Sequence, residues 1–389
     1  MSGYAEYREV NLPWLKAVPA HWEIRRNKNI FTEQKEIVGE RSADYTLLSL
    51  TLNGIIPRDM DGGGKFPESF DKYKIVKNGD MAFCLFDIDE TPRTVGLSGY
   101  NGMLTGAYTI MRVSNINARF IYYYYLALDN SKMLRPLYTG LRKTININTF
   151  QSTKVPVPPR EEQDQIVRFL DWKVSNINKL INIKQEQLRT VKELLDRLFR
   201  DTTSKCSKKV KIKYLFELDD DFFVPDASES YAKAGMYNRG RGIFLREPCL
   251  GNELGDSQFQ HIHSDCLMLS GQFAWEDAVY ITQEKDTHGI ASHRYYLLKP
   301  VRYIPVEYLW LYFLSGEGFF NLQQCSHGSA GRNRPLNIKE VLNLELPVPD
   351  DKEKANALNE LVRDYMRLQV ITEEEKKPCW ISKRILLQI

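Results

Sequence analysis

Apolar residues recur along this chain in two rhythms. After Pro158-Pro159 they fall at Ile166, Leu170, Val174, Ile177, Ile181, Leu188, Val191, Leu195 and Leu198, in steps of four and three, with Lys184 at the one missing step. A proline pair interrupts a helix but suits its first turn, so the spacing predicts a helix that starts there and carries a single coiled-coil seam. Roughly 40 residues at 1.5 Å each make a rod of about 60 Å. A second, shorter stripe runs through Leu358, Val362, Tyr365, Leu368 and Ile371, and Pro378 is expected to end or kink it. A helix with one apolar stripe needs a partner, and antiparallel pairing of these two is the nearest solution. The other rhythm is short. Lys77-Asn-Gly-Asp before Met81-Ala-Phe-Cys-Leu-Phe reads as a turn into a buried strand, and Tyr108–Val113 and Tyr295–Lys299 are further strands. Short strands between Gly and Asn turns predict an α+β fold.

The pattern is duplicated. Thr139-Gly-Leu-Arg-Lys-Thr-Ile-Asn-Ile-Asn precedes Val155-Pro-Val-Pro-Pro-Arg-Glu-Glu-Gln, and His327-Gly-Ser-Ala-Gly-Arg-Asn-Arg-Pro-Leu-Asn-Ile precedes Leu346-Pro-Val-Pro-Asp-Asp-Lys-Glu. Each copy runs from Gly and basic residues through an aliphatic-Asn-Ile triplet and a Pro-x-Pro corner into a helix. Aromatic helical runs lie upstream of both, Ile121-Tyr-Tyr-Tyr-Tyr-Leu and Tyr308-Leu-Trp-Leu-Tyr-Phe-Leu, and Arg26-Asn-Lys-Asn-Ile-Phe echoes Lys211-Ile-Lys-Tyr-Leu-Phe. A period of about 190 residues is too long for a solenoid, so the repeat is a globular domain followed by a helical segment. The tyrosines from Tyr122 to Tyr125 read as helix packing.

Composition changes little in this picture. The chain has 389 residues, 43% apolar and 26% charged, and a net charge of only +3, so a basic surface must come from local clusters. Six scattered cysteines without a C-x-x-C pair suit reduced thiols. The opening residues lack the apolar core of a signal peptide, and no run of about 18 apolar residues is present, so a soluble cytoplasmic protein with no membrane association is expected.

The search for catalytic chemistry returns nothing that holds. Asp61-Gly-Gly-Gly-Lys65-Phe66 fails as a phosphate loop because Phe follows the lysine and the upstream glycine is missing. Pro349-Asp-Asp-Lys-Glu-Lys reads as a solvated helix start. His261, His263, His288 and His293 lack a matching Cys or carboxylate spacing for zinc. No catalytic, cofactor or metal residue is assigned. Binding features are stronger: Arg142 and Lys143, with Asn146 after them, and Arg332, Asn333 and Arg334 sit at equivalent places on glycine-bearing loops. Arginine and asparagine suit guanine and adenine edges, and arginine also clamps phosphate. Arg93, Trp275, His293 and Arg294 complete the DNA-contact candidates.

Three stretches resemble the specificity subunits of Type I restriction-modification systems. Leu12-Pro-Trp-Leu-Lys-Ala-Val-Pro-Ala-His-Trp-Glu-Ile is similar to their opening, and Val155-Pro-Val-Pro-Pro-Arg-Glu-Glu-Gln-Asp-Gln-Ile-Val-Arg-Phe-Leu to the start of their central helix. Phe273-Ala-Trp-Glu-Asp-Ala-Val with Ile290-Ala-Ser-His-Arg-Tyr resembles a block of one class of their recognition domains. The resemblance implies target recognition domains at 1–158 and 204–349, a central helix at 159–203 and a C-terminal helix at 350–389. It implies a non-catalytic subunit that reads a split double-stranded DNA target and docks two modification (methyltransferase) subunits and the restriction (nuclease and translocase) subunits. S-adenosylmethionine, ATP and Mg are then expected on those partners. The sequence departs from the family where Ser204-Lys-Cys-Ser-Lys-Lys replaces a second Pro-x-His-Trp-Glu copy, and where Pro378-Cys-Trp interrupts the last helix. The rival reading is a protein-interaction scaffold that uses the same helices without reading DNA.

Overall fold

The computed structural model describes residues 4–59, 67–139, 143–255, 257–328, 334–350 and 352–376. Among these, residues up to Asn178 form one compact unit and Lys179–Lys376 a second. Eight α-helices are described: α1 (Ala118–Asn130), α2 (Ile147–Ser152), α3 (Arg160–Thr203), α4 (Val306–Leu314), α5 (Gly316–Gln324), α6 (Ile338–Asn343), α7 (Lys352–Asn356) and α8 (Asn359–Lys376). The boundary between the units falls inside α3.

The duplication read from sequence is a duplication of topology. In the first unit an antiparallel sheet runs in the order Phe31–Gln34, Thr109–Val113, Asp80–Phe83, Val95–Leu97. In the second, Phe216–Leu218, Tyr295–Pro300, Leu267–Ser270 and Val279–Ile281 take the same four places. The Pro-x-Pro corners are strands in both: Lys154–Val157 pairs with Glu23–Arg26, and Glu345–Val348 pairs with Lys208–Lys211. Both proline-bearing strands lie in two-stranded ladders, where a missing N–H is tolerated. The second unit adds a further sheet from residues 222–292, with one parallel pair, Ser230–Met236 beside Gly289–Ser292.

The aromatic runs fill the cores. Asn117 caps α1 by accepting from the amides of Arg119 and Phe120. The helix then buries Tyr123, Tyr124 and Tyr125, with Tyr122 half-buried. Phe31, Phe83, Tyr125 and Phe150 pack ring to ring at 4.8–6.0 Å. Fully buried Asn27 donates to Phe150 O (2.8 Å) and accepts from the Tyr125 hydroxyl (2.8 Å), so both polar groups are satisfied inside an apolar core.

The long helix follows its expected seam, shifted by one residue near each end. Its first turns bury Val167 and Leu170 in unit one, with Ile166 half-buried. Its last turns bury Leu195 and Phe199 in unit two, with Leu198 half-buried, so Val167 and Phe199 take the deepest places beside the expected Ile166 and Leu198. Val174, Ile177, Ile181, Leu188 and Val191 are half-buried, and Trp172, Leu180 and Ile183 are exposed. In unit two the end of α3 and α8 share one core, where Val362, Tyr365 and Met366 join Leu195 and Phe199. The α8 stripe is corrected at its far end: Leu368 is half-buried and Ile371 exposed, while Gln369 and Thr372 point inward. That change exchanges an apolar seam for a polar one in the last turns. The chain from residue 377, including Pro378, lies outside the described residues.

One buried charge network braces unit one. Asp129, fully buried, accepts from Arg93 (2.9 Å), from the Thr94 amide (3.0 Å) and hydroxyl (2.6 Å), and from Lys132 (2.8 Å). Removing one member of such a set strands the rest in a low-dielectric site. Asp129→Ala is expected to lower stability by about 3–5 kcal/mol, read from chemical denaturation of the full chain. A loss below 1 kcal/mol would contradict the bracing role.

Candidate nucleic-acid interface

The two aliphatic-Asn-Ile triplets do the same work in both units. The buried Ile145 donates its backbone N–H to Leu85 O (2.7 Å), and the buried Leu336 donates to Gly271 O (2.8 Å). The asparagine that follows caps a short helix: Asn146 accepts from the Asn148 amide (2.8 Å) before α2, and Asn337 from the Lys339 amide (3.2 Å) before α6. The basic loop that precedes each triplet is therefore tied to the end of the central sheet. Asn146 is exposed, and its side-chain oxygen is engaged as a helix cap.

Unit two shows what this arrangement gathers. Gly271–Asp277 forms a strap that turns through a 3-10 element at Ala274–Glu276. The Gly271 N–H donates to Arg294 O (2.7 Å), which fixes the exposed turn carrying His293 and Arg294. The Gly271 carbonyl holds Leu336, two residues after Arg334. Trp275 is half-buried, donates through Nε1 to Gln272 O (3.0 Å), and has the Arg334 guanidinium over its ring at 5.0 Å. Trp275, His293, Arg294 and Arg334, far apart in sequence, thus hang from one strap. Arg332 and Asn333 lie outside the described residues.

Unit one gathers less. Arg142 lies outside the described residues. Lys143 is exposed and pairs with Asp89 (3.2 Å) and Glu90 (2.6 Å), which raises its pKa. The Tyr138 hydroxyl, and then Lys143, hold the Asp89 carboxyl down at about 2. Arg93 is corrected: it is 8% exposed and committed to Asp129 and Asn130 (2.8 Å), a packing role.

The two N-terminal motifs meet each other. Glu162, in the first turn of α3, accepts from His21 Nε2 (2.8 Å), from Trp22 Nε1 (3.0 Å) and from the Tyr4 hydroxyl. Gln163 accepts from the Asn117 amide (2.8 Å) and donates to Pro158 O (2.8 Å). Trp22 is 2% exposed, so its indole N–H needs this partner. Glu162 and Gln163 were visible in sequence only as members of a conspicuous string; their partners lie roughly 50 to 160 residues away and no spacing rule connects them.

The histidines set aside for zinc do have carboxylate neighbours. His261 pairs with Asp221 (3.0 Å), and His263 with Asp219 and more distantly with Asp221 (3.6 Å). No group of three or more metal-ligating residues is arranged to hold an ion among the described residues.

Residues 69–190 match the sequence model of the Type I restriction modification DNA specificity domain. This segment is therefore similar to the DNA specificity domains of that family. It includes most of the first unit's sheet, the Lys143 loop and the start of α3. The whole chain also resembles, over 95% of its length and 98% of the other's, a chain from a structure of complex assembly and conformational transition in the type I R-M system, with TM-score 0.53 and 12% identity. At that identity the likeness is one of fold, and it spans both units. An S subunit from M. genitalium (TM-score 0.47, 15% identity, 94% of this chain and 95% of that one) and an HsdS subunit from Thermoanaerobacter tengcongensis (TM-score 0.42, 12% identity, 95% and 97%) are also similar. No curated protein matches the sequence. No described helix is long and apolar enough to cross a membrane.

The strap of unit two generates two predictions. A Cβ on Gly271 would lie 2.7 Å from Arg294 O, a backbone atom that cannot swing aside. Gly271→Ala should displace the His293–Arg294 turn and weaken DNA binding while the chain stays folded, checked by DNA titration alongside circular dichroism. Asp277 closes the strap in the left-handed region (φ 60), and burial, opposed by Lys192, raises its carboxyl from 3.8 to about 6. The folded state then holds a proton that the unfolded state releases, so this group's contribution falls as pH rises from about 4 to 6. Asp277→Asn should gain about 2–3 kcal/mol over wild type at pH 7 and no advantage below pH 4, measured by denaturation across that range.

Proposed function

We infer that this protein is the DNA-recognition subunit of a Type I restriction-modification system, reading a split target with one specificity unit per half. The specificity-domain match at 69–190 carries the reading, and the identical strand order of unit two supports a second reader. The chain itself supplies recognition and no chemistry. Methyl transfer with S-adenosylmethionine, and cleavage with ATP and Mg, belong to partner subunits. The duplicated topology offers two similar docking surfaces and so recruits two modification subunits. Exposed Trp172, Leu180 and Ile183 on α3 are apolar residues of the kind a partner helix covers. The core shared by α8 and the end of α3 supports pairing of the two helical segments there.

The test is methylation mapping of the source cells with and without the gene. A bipartite methylated motif should vanish on deletion. Replacing unit two's sheet domain should change one half of the motif and leave the other intact. If the motif persists in the deletion, or survives loss of either unit, the reading is wrong. Binding by the purified chain should weaken steeply with salt because phosphate contacts release counterions.

A further inference from the structure

Below the strap of unit two lies a loop that no motif singles out, Tyr237-Asn238-Arg239-Gly240-Arg241-Gly242. Its backbone turns through the left-handed region at Arg239 (φ 63), Gly240 (φ 60) and Gly242 (φ 107). Glycine accepts that conformation; an arginine there is disfavoured and persists only where the surroundings impose it. They do. The Arg239 N–H donates to Glu276 O (2.8 Å) and the Gly240 N–H to Asp277 O (2.6 Å), while Tyr237 N–H closes the loop on Gly242 O (3.0 Å). Asn238 Nδ2 donates to the Glu276 carboxylate. The loop is therefore bolted to the two residues that follow Trp275.

The two arginines are in different states. Arg241 donates through Nε to Asn238 O (2.9 Å) and lies over the Tyr237 ring at 5.2 Å. Arg239 is exposed, and no hydrogen bond, ion pair or ring contact engages its side chain among the described residues. An exposed guanidinium on a rigid, strained backbone beside an aromatic–arginine stack is pre-organised for a partner that needs orientation. The guanidinium fork can serve a phosphate or a guanine edge, but a fork whose backbone is fixed in place suits the guanine edge, which has to be met in one register.

We propose that Arg239 is a specificity-determining residue, reading a guanine in the half-site served by unit two. This rests on the DNA-recognition reading above. It also locates a contact that the duplicated basic loops do not predict, since the equivalent of this loop falls outside the repeat.

Arg239→Gly removes the guanidinium and relieves the backbone, so the full chain should unfold at the same temperature as wild type or higher. In the source cells, methylation maps of strains carrying wild type, Arg239→Gly and Arg239→Lys separate the possibilities. The expected result is a roughly 10- to 100-fold loss of discrimination at one guanine position in one half of the motif, with the other half unchanged. Arg239→Lys keeps the charge but not the fork, and should retain methylation while relaxing the same position. An unchanged motif at undiminished methylation in Arg239→Gly overturns the proposal and leaves the functional reading standing. Uniform weakening without relaxed sequence assigns the residue to phosphate and overturns it as well. A wild-type chain that directs no motif overturns the functional reading, and the assignment of Arg239 with it. If Arg239→Gly fails to accumulate, the lysine variant decides alone.

Discussion

A buried backbone amide must find an acceptor, and in this protein two such amides organise both units. Ile145 and Leu336 are each 4–5% exposed, so water cannot serve their N–H groups. Each donates to a carbonyl just beyond the second sheet strand, Leu85 or Gly271. That single bond fixes the end of the basic loop before it and the start of the capped helix after it. The chain then has only a short path into the Pro-x-Pro strand and the helical segment. The positions of Lys143 or Arg334 before the anchor and of the helix after it are consequences of the same bond, and the triplet and the corner occur together in both units.

The helical attachments differ in chemistry. Unit one grips the first turn of α3 through Glu162, whose negative charge also suits the positive end of the helix. Arg119 and the Tyr123 hydroxyl hold Asp171 further along, at 2.7 and 2.6 Å. Unit two has no second His-Trp pair to offer. It uses Arg363 of α8, which donates to Glu307 (2.6 Å) and Asp265 (2.7 Å), and the Trp310–Tyr365 ring contact at 5.8 Å. The missing motif is thus replaced by a different attachment, made one turn into α8, where unit one uses the first turn of α3.

What sequence made legible was whatever repeats or recurs. The heptad-like spacing located α3, and the duplicated landmarks gave the shared topology, because hydrophobic period and turn residues are local properties. What stayed hidden was decided by tertiary partners. Nothing in Thr91-Pro-Arg-Thr shows that Arg93 will meet Asp129, 36 residues on, in a buried site. The cap made by Asn146 was hidden as well, because asparagine at a loop end suits a base edge and a helix start equally. Arg239 was invisible for the opposite reason: its value lies in a left-handed backbone imposed by Glu276 and Asp277, which no local propensity predicts. Leu368 and Ile371 were misplaced because the stripe was extended by spacing alone, whereas the last turns of α8 rotate Gln369 and Thr372 inward.

The weak net charge now has a structural meaning. Two basic residues of unit one are answered by acids, with Lys143 resting on Asp89 and Glu90 and Arg93 sealed against Asp129. Exposed ion pairs of the Lys143 kind are weak and exchange readily, so a phosphate can displace the carboxylates without a large penalty. Acidic neighbours at such a loop reduce its attraction to any duplex while leaving its preferred one accessible, since specificity is a difference between affinities. A uniformly basic surface would hold non-target DNA through phosphate contacts alone. The strap of unit two applies the same logic by placing Glu276 and Asp277 beside its arginines. On the proposed DNA-recognition reading, discrimination then falls to the few cations whose geometry is fixed.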